Sequence, residues 1–321
     1  MNLPWDKLKD YFERKELWKV DMNLEKEYPL RYPIDFVSNH EYYWQKKIPY
    51  DIKGIPIKIC KEGIKYNPTR VAGYALYLLK KYLDSKDVIF YDKFLIVSEW
   101  FLDSINIKDK YYGRYEYNEY YEGLTKPWIS GMAQGQAISV LTRAYLLSKK
   151  DIYLVVANLA MNSLIQPLEE GGVLFKKKLN GRTLIFFEEV PLKNPTHILN
   201  GNIYSILAIY DYLNVYNLLG KDPPQQNLRL IFNLSLETLK LFLPLYDTSY
   251  WSKYDMKSIA SYHYHWAHIA QLEALYKLLN ITDFLKWSIK FRNYAYSKYN
   301  CLKALLEKLI EKGLNKPRSF K

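Results

Sequence analysis

RVAGYALYLLKKYL, residues 70–83, puts Val71, Tyr74, Leu78 and Tyr82 on one stripe. That spacing of three to four residues predicts a helix with one buried face. The chain changes character here. Upstream, Pro4, Pro29, Pro33, Pro49 and Pro56 break any long periodicity, and only GIPIKIC, residues 54–60, alternates like a short strand. Downstream, the helical period recurs near residues 88–105, 132–147, 151–166, 200–219, 225–243, 261–279, 281–297 and 301–313. Stop signals follow at Leu219-Gly220, at Pro244 and at Leu279-Asn280-Ile281-Thr282. Helices paired in succession can close an α/α toroid, wind a solenoid or form a plain bundle. No fixed repeat supports the solenoid, and the mouth of a toroid gives polar helix entrances a use. The expected fold is mainly α, an (α/α) toroid or barrel of paired helices over 66–321, with an irregular N-terminal segment, 1–65, packed on it.

One stretch interrupts the helices. GGVLFKKKLNGRTLIFFEEVP, residues 171–191, sets Asn180-Gly181 between two runs of β-branched and aromatic residues, the strongest short hairpin signal. An inserted β-hairpin is therefore expected near 171–190. It ends in Glu188-Glu189, so two carboxylates arrive where the chain returns to helix.

The 321 residues carry a net charge of +12 with 49% apolar residues, which excludes global disorder and favours acidic partners. Only nine of the 46 basic residues are arginine, and the lysines are scattered; a nucleic-acid interface calls for arginine forks on a concentrated stripe, so nucleic acid is not the expected partner. Most of the 32 tyrosines are read as packing residues in place of phenylalanine. Cys60 and Cys301 lie too far apart in sequence to suggest a zinc site or a disulfide framework. No apolar leader opens the sequence and no run reaches roughly 18 apolar residues. A soluble, cytoplasmic protein without a membrane span is expected.

Four clusters can carry chemistry. In SGMAQGQAISVLTRAY, residues 130–145, Ala137, Val140, Leu141, Ala144 and Tyr145 form a buried arc, while Gln136 and Arg143, seven apart, project from another side. Gly135 lets a ligand or a neighbouring backbone approach closely. Glu188-Glu189 is the second cluster. The third, LYDTSYWSKYDMK at 245–257, gathers Tyr246, Asp247, Tyr254, Asp255 and Lys257 in a loop, where a phenol near a lysine can become a usable proton carrier. The fourth, SYHYHWAHIAQLEALY at 261–276, lines the border of an apolar arc with Tyr264, His268 and Gln271. His263 and His265 point about 200° apart on a helix, so only His265 and His268 could share an ion, and no second cluster supplies further ligands. Neither a metal nor another cofactor is expected.

These blocks resemble the D-glucuronyl C5-epimerase family, whose members convert D-glucuronate to L-iduronate within a polysaccharide such as a heparan precursor. The resemblance runs through GMAQGQAISVLTRAYLL (131–147), FFEEVP (186–191), LNGNIYSILAIYDY (199–212), PLYDTSYWSKYDMK (244–257) and YHYHWAHIAQL (262–272), in the family's order, over about residues 125–280. It implies the family's helical C-terminal domain, similar to an α/α toroid, without the N-terminal β-rich domains of the larger animal enzymes. By resemblance, Glu189 and Tyr264 are the two acid/base groups, Tyr254 assists them, Asn200 contacts substrate, and Lys257 stands where the family has arginine. Gln134, Gln136, Arg143, His265 and His268 complete the expected substrate-binding set. Val190 replaces a tyrosine that follows the family's catalytic glutamate. An isomerase acting on a glucuronate-containing acidic polysaccharide is the expected activity, and family members often pair as homodimers. Three readings remain beside it: a lyase, an α/α-toroid hydrolase using Glu189 with Asp247 or Asp255, and a non-catalytic glycan-binding protein.

Overall fold

The computed structural model describes residues 5–38, 40–60 and 63–314; Pro4 lies outside the described residues. The chain is mainly helical. Its α-helices are α1 (Trp5–Glu13), α2 (Leu24–Glu27), α3 (Pro68–Ser85), α4 (Val88–Ser104), α5 (Gly131–Ser148), α6 (Asp151–Leu164), α7 (Leu199–Leu218), α8 (Leu228–Phe242), α9 (Tyr262–Leu279), α10 (Thr282–Tyr296) and α11 (Lys298–Leu314). Every helical period read from Arg70 onward has its counterpart in α3 to α11. The strands form separate antiparallel pairs: β1 (Lys58–Cys60) with β2 (Gly63–Lys65), β3 (Asn106–Ile107) with β4 (Gly113–Arg114), β5 (Glu116–Tyr117) with β6 (Trp128–Ile129), and β7 (Leu174–Leu179) with β8 (Arg182–Phe187). Among the described residues no helix is long and apolar enough to cross a membrane.

The chain divides into two compact units. The described residues of the smaller run from 5 to 20, 198 to 200 and 240 to 314; the larger takes 21 to 197 and 201 to 239. In the larger unit α3 packs on α4 and α5, and α5 packs on α6. The helix ends are set locally. Asn67 Oδ1 accepts from Arg70 N at 3.0 Å and Pro68 opens α3, while the left-handed Lys86 closes it by donating to Tyr82 O at 2.7 Å. Ser130 caps α5. From Ala133 to Tyr145 every residue of α5 is buried, so the helix has no solvated face, and its polar residues must find partners inside the protein. Gly135 is where α5 meets α7 closely: a Cβ there would lie 3.0 Å from Ser205 Cα and 3.2 Å from Tyr204 O. The neighbouring backbone of α7, not a sugar ring, fills the gap that this glycine leaves.

The expected hairpin is β7 and β8. Leu179 pairs with Arg182, and Asn180 and Gly181 both take positive φ, 49° and 76°, as a two-residue type I′ turn requires. The tip is exposed, whereas Leu184 to Phe187 are buried. Along the outer edge of β8, Ile185 N donates to Thr238 Oγ1 of α8 and Phe187 N to Asn202 Oδ1 of α7, each at 2.9 Å. Side chains thus satisfy an edge that would otherwise present open donors, and they fix the strand that leads into Glu188-Glu189.

In the smaller unit α9 packs on α10 and α1, and α11 packs on α1 and α10. Helix α1 falls within the segment read as irregular, where the prolines obscured its nine residues. Its Tyr11 is buried, with ring centroids 6.3 Å from Trp251 and 5.1 Å from Tyr262, and its hydroxyl accepts from Tyr262 N at 2.9 Å. Ser261 caps α9 and the left-handed Asn280 ends it.

Gly135→Ala is expected to lower stability by about 1–3 kcal/mol, because the added methyl forces α5 from α7. An unchanged urea midpoint would mean that the two helices separate without cost.

Candidate functional site

The hairpin delivers its two carboxylates to different environments. Glu188 is completely buried. Its backbone N donates to Val173 O and its backbone O accepts from Gly131 N, each at 2.8 Å. One carboxylate oxygen lies 2.5 Å from His197 Nδ1, and the other accepts from His197 N at 3.1 Å. Burial pushes the Glu188 carboxyl above its ordinary pKa, and His197 opposes that rise. Glu189, one residue on, is half-buried and rests on the first turn of α7: a Cβ on Gly201 would come within 2.6 Å of both Glu189 Cβ and Oε2. The absent side chain at 201 is the space that Glu189 occupies. Tyr117 of β5 is buried close enough for the Glu189 charge to add to the raised pKa of its phenol, which burial mainly causes. Val190 is buried.

The other expected residues of the larger unit are inside the protein. Gln134 clasps Tyr115: its Nε2 donates to Tyr115 O at 2.8 Å and its Oε1 accepts from Tyr115 N at 3.1 Å, engaging both ends of the amide with one backbone residue. Gln136 is 2% exposed, and its Oε1 has no hydrogen-bond partner among the described residues. Arg143 is 0% exposed. Its guanidinium forks onto Asp211 at 2.6 and 2.9 Å and donates to the carbonyls of Leu30, Arg31 and Ser139, while Tyr32 stacks at 4.8 Å. Asp211 also accepts from Tyr28 and Ser139 hydroxyls. Burial works against the Arg143 charge, yet Asp211 outweighs it and the pKa is raised. Arg143 is therefore a buried strut whose donors are taken up by protein.

In the smaller unit the structure brings Tyr254 and Tyr264 together, half-buried, with ring centroids 4.6 Å apart. Tyr254 O accepts from Leu199 N at 3.0 Å, and the carbonyl of buried Asn200 accepts from Gln271 Nε2 at 3.0 Å. Lys257 is exposed, its backbone N donating to Asp255 Oδ1. Asp255 also accepts from Ser258 N, so it builds this turn. Asp247 is paired with Lys290 at 2.6 Å and accepts from Tyr294 at 3.1 Å.

His265 and His268 are fully buried and share a hydroxyl: Ser252 Oγ lies 2.7 Å from Nδ1 of His265 and 2.9 Å from Nδ1 of His268. His265 stacks on Trp251 at 3.7 Å and its Nε2 meets Phe291 O at 2.9 Å. Burial drives the His265 pKa down to about 3; burial and then His265 hold His268 well below the ordinary imidazole value. Sequence reasoning did not single out His197, Gly201, Tyr117 or Ser252. The glycine within LNGN, the third residue of α7, was the available signal for Gly201.

Asp211→Asn is expected to cost about 3–5 kcal/mol by leaving the Arg143 charge buried and unpaired; the double change Arg143→Met with Asp211→Leu should recover most of it in urea unfolding. Protons bind first to the histidines of the unfolded chain, so the stability held by neutral His265 and His268 is complete above a pH of about 6.5 and lost as pH falls toward 3. Unfolding midpoints should therefore drop between pH 7 and 5, and less steeply in His265→Gln.

The family model for the D-glucuronyl C5-epimerase C-terminus matches residues 107–293. An uncharacterised protein of Methanocaldococcus jannaschii is 30% identical over 180 residues, 56% of this chain and 56% of that protein. The D-glucuronyl C5-epimerase of Caenorhabditis elegans is 28% identical over 184 residues, 53% of this chain and 29% of that enzyme. The matched region thus spans about half the length of the first relative and under a third of the second. With more than half of its residues matched by the family model, the chain belongs to the D-glucuronyl C5-epimerase family, through that family's C-terminal region.

Proposed function

We propose that this protein is a C5-epimerase acting on glucuronate residues of an acidic polysaccharide, converting D-glucuronate to L-iduronate by proton removal and return. The C5 hydrogen lies beside the uronate carboxylate, which makes it weakly acidic. Removing it leaves an enediolate, and inversion requires that a second group return a proton to the opposite face of the same carbon. In this reading Glu189 and Tyr264 are the two carriers. Tyr254, whose ring lies tilted against that of Tyr264, assists the phenol. Lys257 neutralises the substrate carboxylate, where its point charge lacks the planar fork of the family's arginine, and Asn200 holds the sugar. Charge stabilisation of the enediolate is the largest demand on such a site, and the net charge of +12 favours an acidic polymer.

The contrast between adjacent carboxylates at the hairpin exit carries this reading: Glu188 is bound on every side by protein, while Glu189 is half-buried on the α7 turn. The partners that a hydrolase would need are occupied, Asp247 by Lys290 and Asp255 by its own turn. The engagement of these two carboxylates favours proton transfer at carbon over cleavage of a glycosidic bond, which needs a second one.

Incubating a glucuronate polymer with the protein in heavy water should place deuterium at C5 without shortening the chain. Glu189→Gln and Tyr264→Phe should each slow this at least about 10²-fold, the usual contribution of a positioned acid or base. Unsaturated product absorbing in the ultraviolet would instead identify a lyase, new reducing ends a hydrolase, and binding without exchange a glycan-binding protein. Undiminished exchange in both variants would remove the two assigned carriers.

A further inference from the structure

We infer that Glu188 and His197 form a positioning pair that holds the Glu189 carboxylate in its working place; this inference rests on the proposed role of Glu189. Glu188 is bonded through its backbone N, its backbone O and both carboxylate oxygens. Those bonds reach the residue that leads into β7, Val173, the start of α5 through Gly131, and the segment before α7 through His197. The peptide plane that leads into Glu189 is therefore tied to three parts of the larger unit. Beyond it, the Glu189 side chain lies against Gly201. A carboxylate fixed on both sides in this way has little freedom to leave its position.

His197 is placed for the task by its own constraints. Its φ of 55° is left-handed, a conformation that suits histidine or asparagine better than most residues. This turn brings the backbone N–H and the ring Nδ1 of one residue to the two oxygens of one carboxylate. The ring lies against the cross-strand pair Phe175 and Phe186, each 4.8 Å away by ring centroid. The hairpin strands thus grip the imidazole while the imidazole grips the residue at their exit. Both oxygens of the buried Glu188 carboxylate are engaged by His197. A buried carboxylate is costly to keep once such a partner is lost, so removing either member releases the segment that carries Glu189.

The role separates from mere packing in kinetics. A shift on the order of 1 Å in a catalytic group costs about 10²-fold in rate, whereas the sugar contacts that set affinity lie on other residues. Glu188→Gln and His197→Ala should each lower kcat for deuterium incorporation at C5 of a glucuronate polymer by about 10²-fold, with KM within about two-fold of the parent. His197→Asn keeps a donor near the place of Nδ1 and tolerates the left-handed backbone, and it should restore kcat to within about ten-fold. Retained kcat in Glu188→Gln and His197→Ala would overturn the inference. So would a joint fall of kcat, apparent affinity and urea midpoint that His197→Asn does not relieve, since that pattern marks packing alone. The pair also has a readout that needs no turnover. The parent should show a slowly exchanging imidazole N–H resonance, assigned to His197 by its loss in His197→Asn and absent from Glu188→Gln. If the parent shows this resonance but no exchange at C5, the epimerase reading fails while the pair itself stands; if the resonance is missing, the pair fails whatever the activity.

Discussion

A guanidinium removed from water must find all of its partners in protein, and the larger unit is organised around one that does. Arg143 sits on α5, which has no solvated side, and Asp211 sits on α7. Their bidentate contact, with the hydroxyls of Tyr28 and Ser139 on the same carboxylate, joins two central helices at a distance that Gly135 permits. Buried ion pairs add little net stability over apolar packing, but they tolerate few alternative arrangements. The consequence is register: α5 and α7 cannot slide past one another without stranding a charge. Both helices begin beside the hairpin exit, so the placement of Gly131, Gly201 and the two adjacent glutamates follows from that register.

The chemistry proposed for Glu189 makes sense of this investment in rigidity. Proton transfer to carbon is sensitive to the position of the base. Around Glu189 the protein offers a fixed backbone, a glycine-sized recess and the buried phenol of Tyr117. Tyr254 and Tyr264 are supported differently. Their loop and helix are fastened by Ser252 and Trp251 against His265 and by the Tyr254 carbonyl to Leu199. Several residues expected to touch substrate, Gln134 and Arg143 among them, build the larger unit from within.

Much of the fold was legible because amphipathic period and turn chemistry are local. The 70–83 stripe and Asn180-Gly181 each declare their structure within a few residues. Helix α1 was not legible behind the prolines around it, and β3 to β6 are two residues long, too short to show alternation. The site divided in the same way. Motif order pointed to Glu189, Tyr254 and Tyr264, yet nothing local separates a glutamine that lines a cleft from one that clasps a backbone, as Gln134 does. For α5 the difficulty is physical: a helix buried all round carries its polar residues on no solvated face, so the seven-residue spacing of Gln136 and Arg143 does not by itself separate a substrate-facing side from one buried in protein. His197 escaped notice because its placement depends on a left-handed backbone and on two phenylalanines of the hairpin strands.

The hydroxyl shared by two imidazoles has a consequence of its own. The Phe291 carbonyl can only accept, so His265 carries its hydrogen on Nε2 and offers a lone pair at Nδ1. Ser252 has a single proton to give; directing it to His265, it must accept one from Nδ1 of His268. One serine thereby assigns opposite tautomers to two neighbouring neutral rings. The polarity of that small chain is set at its far end, by a main-chain oxygen of α10.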